Sequence, residues 1–129
     1  MKLLIAGSRG YEHYNIMALY SLFEDAARLL SFDVHDAVDR EKLTIISGGA
    51  RGIDSAGEAW AGYLSLSFEM YRAHWSEQGK RAGYIRNAEM AEACDAAVLI
   101  WDGTSKGTSH MRDLLVKAGK PFVLMFVPL

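Results

Sequence analysis

Five short apolar runs, separated by stretches with helical spacing, constrain this chain more than any other feature. The runs are Leu3–Ala6, Leu43–Ile46, Leu66–Met70, Ala96–Trp101 and Phe122–Val127. Apart from the third, which alternates, they are continuously apolar rather than half polar, so each belongs in a strand covered on both faces. That is the pattern of a parallel sheet whose crossover helices pack above and below it. Between the runs, Ile16, Leu19, Tyr20, Phe23, Ala27 and Leu30 recur at three and four residues and predict a helix with one buried stripe. Ile53, Ala56, Trp60 and Leu64 do the same, Arg81–Cys94 has an alanine-rich face, and Met111, Leu114, Leu115 and Ala118 lead to a stop at Gly119 and Pro121. The expected fold class is α/β: a doubly wound, five-stranded, mostly parallel sheet with helices on both faces. Asp33–Lys42 is acidic and weakly patterned and fits either a short helix or a loop, whereas Tyr71–Lys80 reads as a mixed loop.

With 129 residues, 50% of them apolar and 23% charged, the chain has the length and composition of one globular domain spanning residues 1–129. Its one cysteine, Cys94, has no partner within the chain, and Leu3–Ala6 is too short for a signal peptide or a membrane span. These features lead to the expectation of a cytoplasmic protein, away from membranes. A net charge of −2 gives no global basic field and counts against nucleic acid as the main ligand. His74 and His110 lack a partner at ligand spacing, so no metal and no cofactor is expected.

In a doubly wound sheet the ligand lies beyond the carboxyl ends of the strands, where the strand order reverses. Three small-residue turns reach that edge. Gly7-Ser8-Arg9 follows the first run, Ser47-Gly48-Gly49-Ala50-Arg51-Gly52-Ile53-Asp54 the second, and Asp102-Gly103-Thr104-Ser105-Lys106-Gly107-Thr108 the fourth. Small residues let a ligand approach the backbone, and the free N–H groups of a starting helix attract an anion. Arg9, Arg51 and Lys106 recur where a phosphate would lie, and an arginine fork suits phosphate oxygens. The second turn matches neither the dinucleotide fingerprint nor a Walker A loop. Asp54 suits either a ribose hydroxyl or the first turn of its helix, and Asp102 either a ligand contact or a turn. Tyr71 and Trp75 are placed either to stack on a base or to pack over the rim, while Trp60 and Trp101 read as core.

Those three turns, together with Gly79-Lys80-Arg81-Ala82-Gly83 and Arg86-Asn87-Ala88-Glu89-Met90, resemble the YspA-like branch of the SLOG superfamily, relatives of DprA and of the LOG phosphoribohydrolases. The resemblance covers nearly the whole chain. It implies a Rossmann-like domain that binds nucleotides or nucleotide-derived signals, with some members cleaving an N-glycosidic bond and others sensing. It also implies that Arg86 corresponds to the arginine of the hydrolases, whose glutamate position falls on Met111 here. Asp113 is displaced along the helix. Cleavage passes through a cation-like state that a carboxylate stabilises, so hydrolysis of the LOG type is doubtful on this sequence. Similarity to DprA is confined to Gly49-Ala50-Arg51-Gly52-Ile53-Asp54.

The expected ligand is therefore a nucleoside phosphate, an ADP-ribose derivative or a related metabolite, bound for sensing or sequestration. The candidate ligand-binding residues are Gly7, Ser8, Arg9, Gly48, Gly49, Ala50, Arg51, Asp54, Arg86, Asn87, Asp102, Gly103, Ser105, Lys106, Gly107 and Thr108. Arg86 and Asp102 are the candidates should the site be catalytic. The alternatives are a nucleotide N-glycosidase and a DprA-like handler of single-stranded DNA. Family members commonly dimerise, which implies a homo-oligomer, most simply a dimer.

Overall fold

Residues 1–128 are described by a computed structural model. The strands are β1 (Lys2–Gly7), β2 (Thr44–Ser47), β3 (Ser67–Met70), β4 (Ala96–Trp101) and β5 (Phe122–Phe126). All neighbouring pairs run parallel, in the order β3-β2-β1-β4-β5. The sheet is thus wholly parallel and Rossmann-like. Register is fixed by the two-sided burial: alternate residues of β1 face opposite layers, so a one-residue slip would exchange them. Leu3 and Ile5 join Ile45, Val98 and Ile100 on one face, whereas Leu4 and Ala6 join Ile46, Ala97 and Leu99 on the other.

The helices are α1 (Ile16–Leu29), α2 (Ala37–Lys42), α3 (Ile53–Tyr63), α4 (Trp75–Gln78), α5 (Ala82–Ala93) and α6 (Lys106–Ala118). Helices α1 and α3 cover the first face with Leu19, Phe23, Ile53 and Trp60; α5 and α6 cover the second with Met90, Ala91, Met111 and Leu115. Asn15 caps α1, its side chain accepting from the Met17 and Ala18 N–H groups at 3.0 and 3.2 Å. The apolar stripe begins later than its spacing implies, because Ile16 in the first turn is exposed while Leu19 is buried. The acidic stretch resolves into α2, whose cap is Asp36, accepting from Val38 and Asp39 at 2.8 and 3.2 Å. Where a loop was expected over Tyr71–Lys80, the chain forms α4 and a 3-10 turn over Gly79–Arg81. No helix among the described residues is long and apolar enough to cross a membrane.

Strand order reverses between β1 and β4, which bond directly from Leu3–Ala96 to Gly7–Ile100. Their carboxyl ends are Gly7 and Trp101. A crevice therefore opens above them, between chains that leave toward opposite faces.

Candidate functional site

A cleft of about 370 Å³ occupies that crevice, at the small end of the range for ligand pockets. It is lined by Ala6, Gly7, Arg9, Gly10, Ala50, Asp54, Arg86, Asn87, Met90, Asp102, Ser105, Gly107, Thr108 and Met111. The end of β1 and the first turn bring Ala6, Gly7, Arg9 and Gly10 to it, the second turn Ala50 and Asp54, α5 Arg86, Asn87 and Met90, and the turn after β4 with the start of α6 Asp102, Ser105, Gly107, Thr108 and Met111. Gly7 must lack a side chain, since a Cβ there would stand 2.3 Å from the Ile100 carbonyl oxygen and 2.8 Å from the Ile53 side chain.

The turn over residues 47–54 behaves differently from a phosphate loop. Asp54 is buried, with 4% of its surface exposed, and its carboxylate accepts from the N–H groups of Ala50, at 3.4 Å, and of Gly7. The Gly49 N–H goes to the Ser47 hydroxyl at 3.2 Å, which in turn donates to Glu58 Oε1 at 3.2 Å. The Ile53 N–H goes to the Ser8 carbonyl at 3.3 Å. The N–H groups of Gly49, Ala50 and Ile53 are thus engaged inside the fold, that of Ala50 by the protein's own Asp54. Gly49 and Gly52 have φ of 73° and 75°, and a Cβ at Gly52 would come within 2.5 Å of the Ser8 oxygen, so glycine here serves close packing of the two turns.

Burial pushes the Asp54 carboxyl up to about 6, against the opposing pull of Arg86 and of the two backbone donors, with Glu58 adding to the rise. Arg86 extends from α5 and donates through Nη1 to the Gly48 carbonyl at 3.0 Å. Its Nε is buried with no hydrogen-bond partner. Burial lowers the guanidinium from its ordinary value, Asp54 opposes that, and the nearby charge of Arg9 adds to it. The cleft thus holds two arginines close enough to repel each other, one of them incompletely satisfied.

Opposite them begins α6. Its cap, Ser105, accepts no backbone N–H of the helix through its side chain, which instead lies 3.3 Å from the Thr108 hydroxyl, and the first backbone bond is Ser109 N–H to the Ser105 carbonyl at 3.2 Å. The N–H groups of Lys106, Gly107 and Thr108 have no acceptor within the helix, and the positive end of the dipole faces the cleft. Asn87 ties α5 to this point, its Nδ2 donating to the Gly107 carbonyl at 3.2 Å and lying 3.2 Å from His110 Nδ1. Asp102 shapes the turn before it: Oδ1 accepts from the Thr104 and Ser105 N–H groups at 2.9 Å each, bonds that hold this carboxylate below its usual range.

Several residues expected at the site lie elsewhere. Ser8 is buried, its hydroxyl accepting from the Asp102 N–H at 3.1 Å and its own N–H donating to the Ile100 carbonyl at 3.0 Å. It splints two turns. The exposed Arg51 side chain pairs with Glu12 at 3.1 Å and does not line the cleft. Gly48 and Gly49 stand behind the lining, against Arg86 and Met70. Gly103, with φ of 89°, is packed on the Phe126 ring, and Lys106 is an exposed residue off the lining. Trp60 is core; Trp101 is half-buried, donating to the Ser105 carbonyl at 3.0 Å beneath the Arg112 guanidinium. Sequence reasoning missed Ala6, Gly10 and Met90 as lining and Glu58 as the support under Ser47. The signal for Glu58 was its spacing, one helical turn after Asp54.

The fold and this crevice define a Rossmann-like α/β protein with a polar cleft at its topological switch point. Over 87 residues the chain is 37% identical to the Gene 61 protein of Mycobacterium phage D29, covering 63% of this chain and 70% of that one. It belongs to the family of that phage protein. No family model matches the chain, and no solved structure matches it.

Proposed function

We propose that the protein binds a phosphate-bearing, nucleotide-derived small molecule in the cleft, in the manner of a sensor or a sequestering protein of the SLOG superfamily. The observation that carries this reading is the meeting of Arg9, the incompletely paired Arg86 and the uncapped start of α6 in one crevice. Positive groups converge there from three separate elements, and an anionic ligand would be drawn to all of them together. The phosphate lies against Ser105–Thr108, with Arg9 and Arg86 closing on it. Ribose hydroxyls fall within reach of Asn87 and Asp102.

Binding without turnover is favoured by a residue in the second turn of α6. Met111 lines the cleft where the resembled hydrolases place a glutamate, and Asp113 is exposed on the far side, paired with Arg112 at 3.3 Å. The two carboxylates on the lining, Asp54 and Asp102, are engaged in holding turns. A cytoplasmic dimer is part of the proposal, and single-stranded DNA is the less favoured ligand. Thermal shift against nucleoside phosphates, NAD, ADP-ribose and cyclic nucleotides tests it, since a ligand at ~100 times its Kd adds roughly 2.7 kcal/mol. Chromatography of each incubation follows. Stabilisation with intact ligand is expected; released base would make the protein a hydrolase, and no stabilisation by any of them would remove the reading.

A further inference from the structure

Resting on the cleft reading above, we infer that Trp75 is the stacking platform for a planar heteroaromatic base, so that the ligand lies with its phosphate inside the cleft and its base outside. Trp75 opens α4, the short helix that replaces a loop between β3 and α5, and 52% of its surface is exposed. An indole is costly to leave in water, and this one is not loose. Its Cη2 atom lies 3.3 Å from where a Cβ on Gly83 would stand, so the ring rests on the bare backbone of the first turn of α5.

Gly83 is three residues before Arg86 and four before Asn87, both of which line the cleft. Residues at those spacings share one helical face. That same Gly83 position is 3.9 Å from Arg86 Nη2, so ring and guanidinium flank a single glycine. Trp75 therefore continues the α5 wall of the cleft outward, past its mouth. The cleft itself is small, with charged and hydroxyl side chains in its lining, and offers Met90 and Met111 as its larger apolar side chains. Segment 72–81 carries Arg72, Lys80 and Arg81 against Glu77 alone, a local positive charge that an anionic ligand meets on the way in. Stacking on an indole tolerates any base, because every base has a π face.

The test compares three probes, adenosine 5′-monophosphate, ribose 5-phosphate and inorganic phosphate, on the wild type, Trp75→Ala and Trp75→Phe by calorimetry. For the wild type, the expected result is adenosine 5′-monophosphate bound about tenfold more tightly than ribose 5-phosphate, as loss of one stacked base implies. Trp75→Ala should bind the two alike while keeping its affinity for ribose 5-phosphate, and Trp75→Phe should recover part of the preference. A Trp75→Ala protein that retains the full preference overturns the platform while leaving the phosphate site standing. A wild type that binds none of the three probes overturns the cleft reading and the platform with it. Because the ring is exposed, the substitutions do not open the core, and unchanged melting temperatures will verify that.

Discussion

Asp54 and Arg86 bracket Gly48: a Cβ at that glycine would stand 2.9 Å from Asp54 Oδ2 and 3.1 Å from Arg86 Nε. The buried carboxylate and the arginine that lines the cleft are thus set by the absence of one methyl group. Gly48→Ala must push one of them aside, and Asp54 is held by two backbone donors. The expected outcome is a loss of roughly 1–3 kcal/mol in urea unfolding, the usual cost of overpacking. Stability within a few tenths of the wild type would mean that Arg86 moves freely.

The Asp54 carboxyl is raised from 3.8 to about 6 by burial, so the folded state holds its proton where the unfolded state has released it. Stability must then fall as pH rises between about 4 and 6, and level off above, by on the order of 2–3 kcal/mol. His110 acts in the opposite sense, since burial lowers it from 6.5 and its contribution is lost as pH falls. Asp102, held below its usual range, acts only at still lower pH. Subtracting the pH profile of Asp54→Asn from that of the wild type isolates the first effect; a flat difference between pH 4 and 6 would contradict it.

Arg9 and Arg51 are both basic residues on glycine-rich turns, and the structure separates them. Arg9 lines the cleft, whereas Arg51 pairs with Glu12 in solvent. For a phosphate-bearing ligand, Arg9→Ala should cost about 1–3 kcal/mol of binding, the value of a charged hydrogen bond. Arg51→Ala should change affinity less than threefold. The reverse order in a titration would return the phosphate to residues 48–52.

Asp102 accepts from Thr104 N–H, Ser105 N–H and the Thr104 hydroxyl, the last at 3.2 Å. Asp102→Ala should lower stability by roughly 1–3 kcal/mol and loosen the start of α6, through the donors left unpaired. Hydrogen exchange at Thr104–Thr108 reports the second effect directly. Unaltered protection there would show that Ser8 and Trp101 alone hold the turn.

Strand identity was legible because β1, β2 and β4 are apolar on both sides, which only a two-faced parallel sheet explains. Edge strand β3 was read from alternation and proved half-exposed, with Phe68 in solvent. The rim was legible for the same reason as the sheet: turns after parallel strands all emerge on one edge. What a linear pattern could not reveal was which donors remain free. Asp54 lies four residues beyond Ala50 across a non-helical turn, and only in space does its carboxylate come back to accept from the Ala50 N–H. Arg51 looked like a ligand residue because no spacing rule brings Glu12 beside it. Helix α4 was hidden by its shortness, with Trp75 among polar neighbours and no periodicity to count.

A loop that already contains its counterion has no ordering left to do when a ligand arrives. The entropic cost of fixing residues 48–52 is met during folding, by Asp54, rather than at the moment of association. For the ligand we propose, the Asp54 side of the cleft would then be set before association rather than by it.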